Sequence, residues 1–180
     1  MLKAGFNPDQ PRDDHGRWTS TGGGADILPD YLDALPLIEP AGYNGRYHDY
    51  VVAEVAKDLE AKGYTVITEL PLTLPGNPPV TAIIDIMHRS PTGEVRGLEI
   101  KTGEDPTFTV RQAIVYPHVI GGAGVISTDY RIGSLILTAN APLPPIPIDV
   151  GWVRGKKIYY DTIRPELKMW QVLANLYKRA

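Results

Sequence analysis

The chain has 180 residues, enough for one domain with a sizeable core, and 43% of them are hydrophobic. It contains no cysteine, which excludes disulfide bonds, thiolate metal sites and a cysteine nucleophile, and suits a reducing compartment. The net charge of −3 argues against tight, sequence-independent binding of duplex nucleic acid. No apolar run is long enough to cross a membrane, and the N-terminus lacks the apolar core of a signal peptide. We therefore expect a cytoplasmic protein with no membrane partner.

Residues 1–44 are predicted to form an extended arm or linker, and residues 45–180 the folded domain. Proline, glycine and aspartate are dense between Phe6 and Gly24, and no apolar period is present. The arm holds seven acidic and three basic residues, so the remainder of the chain is close to neutral. The segment from Asn7 to Trp18 resembles the Asn-Pro-x-Gln-Pro-Arg-x-x-x-Gly-x-Trp stretch of phage head-morphogenesis proteins and polymorphic toxins.

The first predicted helix spans Arg46 to Lys62, with Asn44 as its cap and Gly63 at its end. Apolar residues recur along one side of it at helical spacing. Glu54 lies within that side. A carboxylate there either extends past its neighbours into solvent or faces a group that requires it.

A strand is predicted over residues 64–70, and a proline-rich loop over residues 71–79. A β-hairpin follows, from Val80 to Lys101. Its two arms are rich in β-branched residues, and the sequence Ser-Pro-Thr-Gly between them has turn chemistry.

The register of this hairpin decides which side chains meet. If the turn centres on Thr92, paired residues have numbers that sum to 184. Asp85 then faces Glu99, and Lys101 points to the same side of the sheet. The other side is expected to be core, filled by four apolar residues: Ile84, Ile86, Leu98 and Ile100.

Two carboxylates on neighbouring strands repel each other and destabilise a sheet. A divalent cation removes that cost, and carboxylate oxygens are ligands that Mg²⁺ prefers. Lys101 could contact the same phosphate as the cation or orient a metal-bound water. The alternative is a solvated strand face on which Glu99 and Lys101 are exposed.

A second helix is predicted over residues 108–120 and is ended by consecutive glycines. Gln112 and Tyr116 are four residues apart and share one face of it, and Arg111 flanks them. The alternative is a helix surface with ordinary polar residues.

The remaining chain is predicted to add strands and a final helix. The expected elements are a short strand over 124–127 beside the hairpin, a strand over 134–139, a second hairpin formed by 148–153 and 157–163, and an amphipathic helix over 164–179.

This order of elements resembles the PD-(D/E)xK nuclease superfamily. The matching residues are Glu54, Asp85, Glu99 and Lys101. The stretch from Leu98 to Gly103, followed by Gln112-x-x-x-Tyr116, resembles the RecB-type branch of that superfamily. Two differences stand out: Ile84 replaces the proline before the first acid, and Glu99 stands where that branch more often has Asp.

The resemblance implies an α/β fold with a restriction-endonuclease-like core, in which helices flank a central mixed β-sheet. It implies that Mg²⁺ or Mn²⁺ is held by four groups: the side chains of Glu54, Asp85 and Glu99 and the main-chain carbonyl of Ile100. It further implies that Lys101 orients the attacking water, and that three residues position Lys101 or the substrate: Arg111, Gln112 and Tyr116.

The expected function is therefore metal-dependent hydrolysis of nucleic acid, with DNA favoured over RNA. The arm suggests a phage-associated toxin, or one delivered into the cytoplasm of a target cell, with an immunity or antitoxin protein as partner. Two alternatives remain open. One is an RNase toxin acting on tRNA, and the other is an inactive nuclease fold used for binding or assembly. The intact Glu99-x-Lys101 sequence argues against the inactive form.

Overall fold

The computed structural model describes residues 46–104, 106–127, 129–132, 135–155, 157–163 and 173–174. The predicted arm lies outside these ranges, as does most of the predicted terminal helix. Leu173 and Ala174 of that helix are described; both are helical, and Leu173 packs against the core. Within the described ranges, no helix is long and apolar enough to cross a membrane.

The described chain forms an α+β fold in which helices accompany a six-stranded mixed sheet, as predicted. Its elements are α1 (Tyr47–Ala61), β1 (Thr65–Leu74), β2 (Val80–Arg89), β3 (Val95–Lys101), α2 (Val110–Gly121), β4 (Ile126–Ser127), β5 (Tyr130–Ile132), β6 (Leu135–Leu137), β7 (Ile148–Arg154) and β8 (Lys157–Ile163). The strand order is β4-β1-β2-β3-β7-β8, and β5 pairs with β6 in a second sheet.

Helix α1 begins later than the sequence predicted. Its N-cap is Arg46, which has an extended backbone and makes no side-chain cap hydrogen bond, so the prediction that Asn44 caps the helix is wrong. The Arg46 guanidinium pairs instead with Asp49, one turn into the helix. The helix ends as predicted: Gly63, with φ of +82°, directly follows the C-cap Lys62.

Strand β1 is longer than predicted. It continues through Pro71, which pairs with Ile83, and ends at Leu74, so the loop that follows is confined to residues 75–79. Leu70 and Leu72, two residues apart on one face of β1, are completely buried. Their burial on both sides of Pro71 favours continued pairing of β1 with β2. A proline is tolerated because β4 pairs with only two residues of β1.

The β2–β3 hairpin has the predicted register. Ile86 pairs with Leu98, and the ladder runs from there to the pair of Arg89 with Val95, so paired numbers sum to 184. The pairing stops at Ile86 and Leu98. The acidic residues next to that last pair therefore lie where the two strands are no longer joined by the ladder.

The four apolar residues expected on one face of the hairpin are all buried, but the prediction that they share a face is wrong. They divide between two clusters: Ile86, Leu98 and Ile100 pack beside α1, and Ile84 packs beside α2. The alternation of β2 breaks at Asp85. The residue of β1 that lies opposite, Glu69, has a φ of +54°, which is uncommon for a non-glycine residue.

The neighbour of β3 also differs from the prediction. Strand β4 pairs with β1 instead of lying beside the hairpin, and β7 runs parallel to β3. The apolar run of β7 is buried along almost its whole length, as expected for an interior parallel strand. The predicted β7–β8 hairpin is confirmed, and the predicted strand over 134–139 is present as the shorter β6.

Candidate active site

A pocket of about 580 Å³ opens at the end of the sheet where the pairing of β2 and β3 stops. Its walls come from the first turns of α1 and α2, the first half of β2, the end of β3, one residue of β1 and the loop that follows β3. Six of the predicted site residues line it: Asp85, Glu99, Ile100, Lys101, Arg111 and Gln112. The hairpin register and the capping of α2 thus bring together residues that are up to 27 positions apart in sequence.

Glu99 is the most deeply buried acid of the pocket, with 2% of its surface exposed. Lys101 Nζ donates to its Oε1 at 2.7 Å, and Gln112 Nε2 donates to the same oxygen at 2.5 Å. The Tyr116 hydroxyl donates to Oε2 at 2.5 Å. Burial, followed by the charge of Asp85, raises the pKa of Glu99. The three donors compensate for part of the cost of holding this carboxylate away from water.

Asp85 connects the strands beyond their last pair. Its Oδ2 accepts a hydrogen bond of 2.7 Å from the Ile100 amide and lies 3.2 Å from His48 Nε2. The same imidazole nitrogen lies 3.2 Å from the Ile100 carbonyl oxygen. A carboxylate, a carbonyl and an imidazole therefore converge at one point of the pocket wall.

The histidine in this group is positively charged at neutral pH. Its hydrogen bond with Asp85 raises the pKa of His48 to about 9, against the opposing effect of burial. On its other side, His48 Nδ1 lies 3.4 Å from Asp49 Oδ1. The imidazolium thus lies between two carboxylates and supplies a positive charge beside Asp85.

The sequence did not identify His48; it predicted that Glu54 is the residue of α1 that takes part in the site. The Glu54 side chain is 23% exposed and forms a long ion pair of 3.9 Å with Lys57. It is absent from the lining of the pocket, so the structure does not bring it to Asp85 and Glu99. A signal for His48 was present, because helical spacing places it on the same face as the buried Val52, Val55 and Leu59.

Lys101 is held at the rim by two oxygen acceptors. Its side chain is 13% exposed, and Nζ donates to Gln112 Oε1 at 2.9 Å as well as to Glu99. Gln112 is in turn fixed by a capping box, in which its backbone amide donates to the Thr109 hydroxyl and the Thr109 amide donates to its Oε1. The cap of α2 thereby sets the position of the amide that bridges Lys101 and Glu99.

Tyr116 and Arg111 take different places. Tyr116 is fully buried behind the pocket, where its hydroxyl also lies 3.1 Å from the Ile83 carbonyl oxygen. Arg111 is exposed at the mouth, in the first turn of α2. Tyr116 can therefore orient Glu99 but is not part of the pocket wall, whereas Arg111 can reach a ligand that enters from solvent.

The donor set is suited to a divalent cation. Among the described residues, no three His, Cys, Asp or Glu side chains are arranged as a ready metal cluster. The chemistry of the wall nevertheless fits Mg²⁺ or Mn²⁺, since the Asp85 carboxylate and the Ile100 carbonyl both lie 3.2 Å from His48 Nε2, beside Glu99. The charge of His48 already balances one of these acids, as a cation would.

No protein-family model and no curated protein sequence matches the chain. The resemblance to the PD-(D/E)xK superfamily therefore remains a prediction from the residues themselves. What the site offers is a buried glutamate beside a partly buried aspartate, with a lysine joined to the glutamate and a histidine joined to the aspartate, at an open pocket.

Proposed function

We propose that the protein is a metal-dependent nuclease that hydrolyses phosphodiester bonds, with DNA as the favoured substrate. The observation that carries this proposal is the pairing of buried Glu99 with Asp85 beneath an open pocket, with Lys101 bound to Glu99. Burial beside the charge of Asp85 raises the pKa of Glu99, and a carboxylate perturbed in this way at an open pocket is accounted for better by a functional use than by a structural one.

Four groups would hold the cation: the carboxylates of Asp85 and Glu99, the Ile100 carbonyl and the His48 imidazole. His48 would release its proton when the cation binds, because only the neutral imidazole can ligate a metal. Here His48 takes the part that the resemblance implied for Glu54, because His48 lies against Asp85 and Glu54 does not line the pocket. A bound cation would lower the pKa of a water molecule and neutralise charge on the scissile phosphate. An imidazole nitrogen in the set favours Mn²⁺ over Mg²⁺.

The other side chains position the substrate and stabilise the charge that develops during the reaction. Lys101 donates from Nζ to an oxygen of the phosphate and steadies the charge that develops there. Gln112 keeps Lys101 beside Glu99, and Tyr116 keeps the Glu99 carboxylate turned toward α2. Arg111, at the mouth, contacts the next phosphate of the strand.

We also propose a biological role, which is supported only by the sequence of the arm, residues 1–44. The Asn7–Trp18 segment resembles one found in phage head-morphogenesis proteins and polymorphic toxins, which supports a toxin that is phage-associated or delivered into a target cytoplasm. Such a nuclease requires an immunity or antitoxin protein in the cell that makes it, and this would be its protein partner.

A cleavage assay tests the chemistry. The purified chain is incubated with plasmid DNA and with total tRNA in Mg²⁺, in Mn²⁺ and in EDTA. Lys101→Ala is compared with Lys57→Ala, which removes a lysine whose side chain is 78% exposed and lies outside the pocket lining. We expect cutting in Mn²⁺ that is abolished by EDTA and by Lys101→Ala, and unchanged in Lys57→Ala.

The substrate that disappears distinguishes DNA from RNA. Loss of tRNA with intact plasmid would replace the favoured substrate with RNA and keep the reaction. Cutting that survives in both EDTA and Lys101→Ala would refute the proposed chemistry. If neither substrate is cut under any condition, the nuclease proposal fails and a role in binding or assembly replaces it.

A further inference from the structure

We propose that Phe108 is a positioning residue for Lys101: its ring holds the Lys101 ammonium in place for the reaction. The inference rests on the proposed nuclease function. Lys101 Nζ lies 5.4 Å from the centre of the Phe108 ring, within the range of a cation–π interaction. Phe108 belongs to the loop between β3 and α2, which the sequence analysis did not connect with the site.

A lysine needs such a contact because its stem is flexible. The side chain has four methylene groups and an ammonium that can rotate, so two hydrogen bonds restrict it only in part. Those two bonds reach Glu99 and Gln112, which both lie on the inner side of the pocket. The Phe108 ring adds an apolar and electrostatically favourable surface beside Nζ.

The ring is itself fixed from two sides. Its edge meets Tyr116 with ring centres 6.3 Å apart and planes at 84°, the edge-to-face arrangement that aromatic pairs favour. It also directly precedes Thr109, the N-cap of α2, and packs against the core cluster beside that helix. The elements that place Gln112 and Tyr116 therefore place Phe108 as well.

Two substitutions separate the ring from the volume it fills. Phe108→Leu keeps an apolar side chain and removes the ring, while Phe108→Tyr keeps the ring. Tyr159→Leu is the matched control, since Tyr159 is a half-buried aromatic residue that packs against the same core cluster and does not line the pocket. We expect kcat to fall about fivefold to thirtyfold in Phe108→Leu with KM nearly unchanged, and to recover in Phe108→Tyr.

A second readout does not depend on activity. Protons above an aromatic ring resonate upfield, so the ε-methylene signal of Lys101, assigned by its loss in Lys101→Ala, is compared in the wild type and the two Phe108 variants. We expect the signal to be upfield in the wild type and in Phe108→Tyr, and to move downfield in Phe108→Leu.

The inference is overturned if kcat of Phe108→Leu stays within about twofold of the wild type, if Tyr159→Leu lowers kcat equally, or if the ε-methylene signal does not move. Failure of the proposed function is recognised separately. If the wild type cuts no substrate, the resonance alone decides whether Phe108 holds Lys101.

Discussion

Removing one oxygen atom from Tyr116 tests whether the buried Glu99 carboxylate depends on its hydrogen-bond donors. Tyr116→Phe keeps the ring, which is fully buried, and deletes the hydroxyl that donates to Glu99 at 2.5 Å. The carboxylate is 2% exposed, so water cannot replace that donor without a local opening of the structure. Hydrogen bonds to charged groups contribute about 1.5–3 kcal/mol, and we expect a loss of about 2 kcal/mol in the free energy of unfolding.

Urea unfolding followed by far-ultraviolet circular dichroism measures this loss. The samples contain EDTA and are held at pH 8. The pH is high because the pKa of Glu99 is raised, and a protonated Glu99 would lose less stability when the Tyr116 hydroxyl is removed. Thermal unfolding should show a fall in Tm of about 4–8 °C, since 1 kcal/mol corresponds to roughly 2–4 °C in a chain of this size.

Tyr159→Phe provides the matched control, because Tyr159 is half-buried beside Trp152 and does not line the pocket. We expect it to change the stability by less than about 0.5 kcal/mol, as most substitutions away from buried polar networks do. A loss of less than about 0.5 kcal/mol in Tyr116→Phe would show that the buried Glu99 carboxylate does not depend on this donor.

Three further predictions concern residues away from the pocket. Burial lowers the pKa of His88 to about 4, so the unfolded chain binds a proton that the folded chain excludes. The free energy of unfolding should therefore fall by up to about 3 kcal/mol as the pH drops from 6.5 towards 4. Urea unfolding of His88→Leu should lack this pH-dependent loss. Arg96 forms two hydrogen bonds of 2.7 Å with Asp149, whose side chain is 6% exposed, so Arg96→Gln should cost about 3–5 kcal/mol in the same assay; a loss below about 1 kcal/mol would mean that the pair is solvated. A Cβ atom at position 97 would clash with Ile84 Cδ1, so Gly97→Ala should lower the stability by about 1–3 kcal/mol, and an unchanged urea midpoint would show that the core can adjust.

The hairpin could be predicted because its information is local. The turn chemistry of Ser90 to Gly93 fixes the register, and the register places Asp85 and Glu99 just beyond the last pair of the β2–β3 ladder. The capping box of α2 is likewise local, and it fixes the position of Gln112. Short-range rules of this kind determined the part of the site that lies on β3 and α2.

The sequence predictions failed where tertiary packing determines the position of a side chain or a strand. Strict alternation predicted that Ile84 would share a face with Ile86, but the backbone of β2 changes side at Asp85, opposite a β1 residue with positive φ. Both His48 and Glu54 lie near the apolar side of α1, and only the docking of the helix on the sheet determines which of them reaches the carboxylates. The parallel partner of β3 likewise cannot be predicted from local sequence patterns, because 46 residues separate β3 from β7.

Cleavage and Tm, measured together across a Mn²⁺ titration, test whether a cation held by Asp85 is needed for the reaction. The wild type is compared with Asp85→Asn and with Asp58→Asn, a control on α1 whose aspartate pairs with Lys62 and does not line the pocket. The proposed metal site predicts that rate and Tm rise over the same range of Mn²⁺ concentration in the wild type and in Asp58→Asn, and that neither rises in Asp85→Asn. Cleavage that persists in Asp85→Asn, or a Tm that does not respond to Mn²⁺ in the wild type, would contradict it.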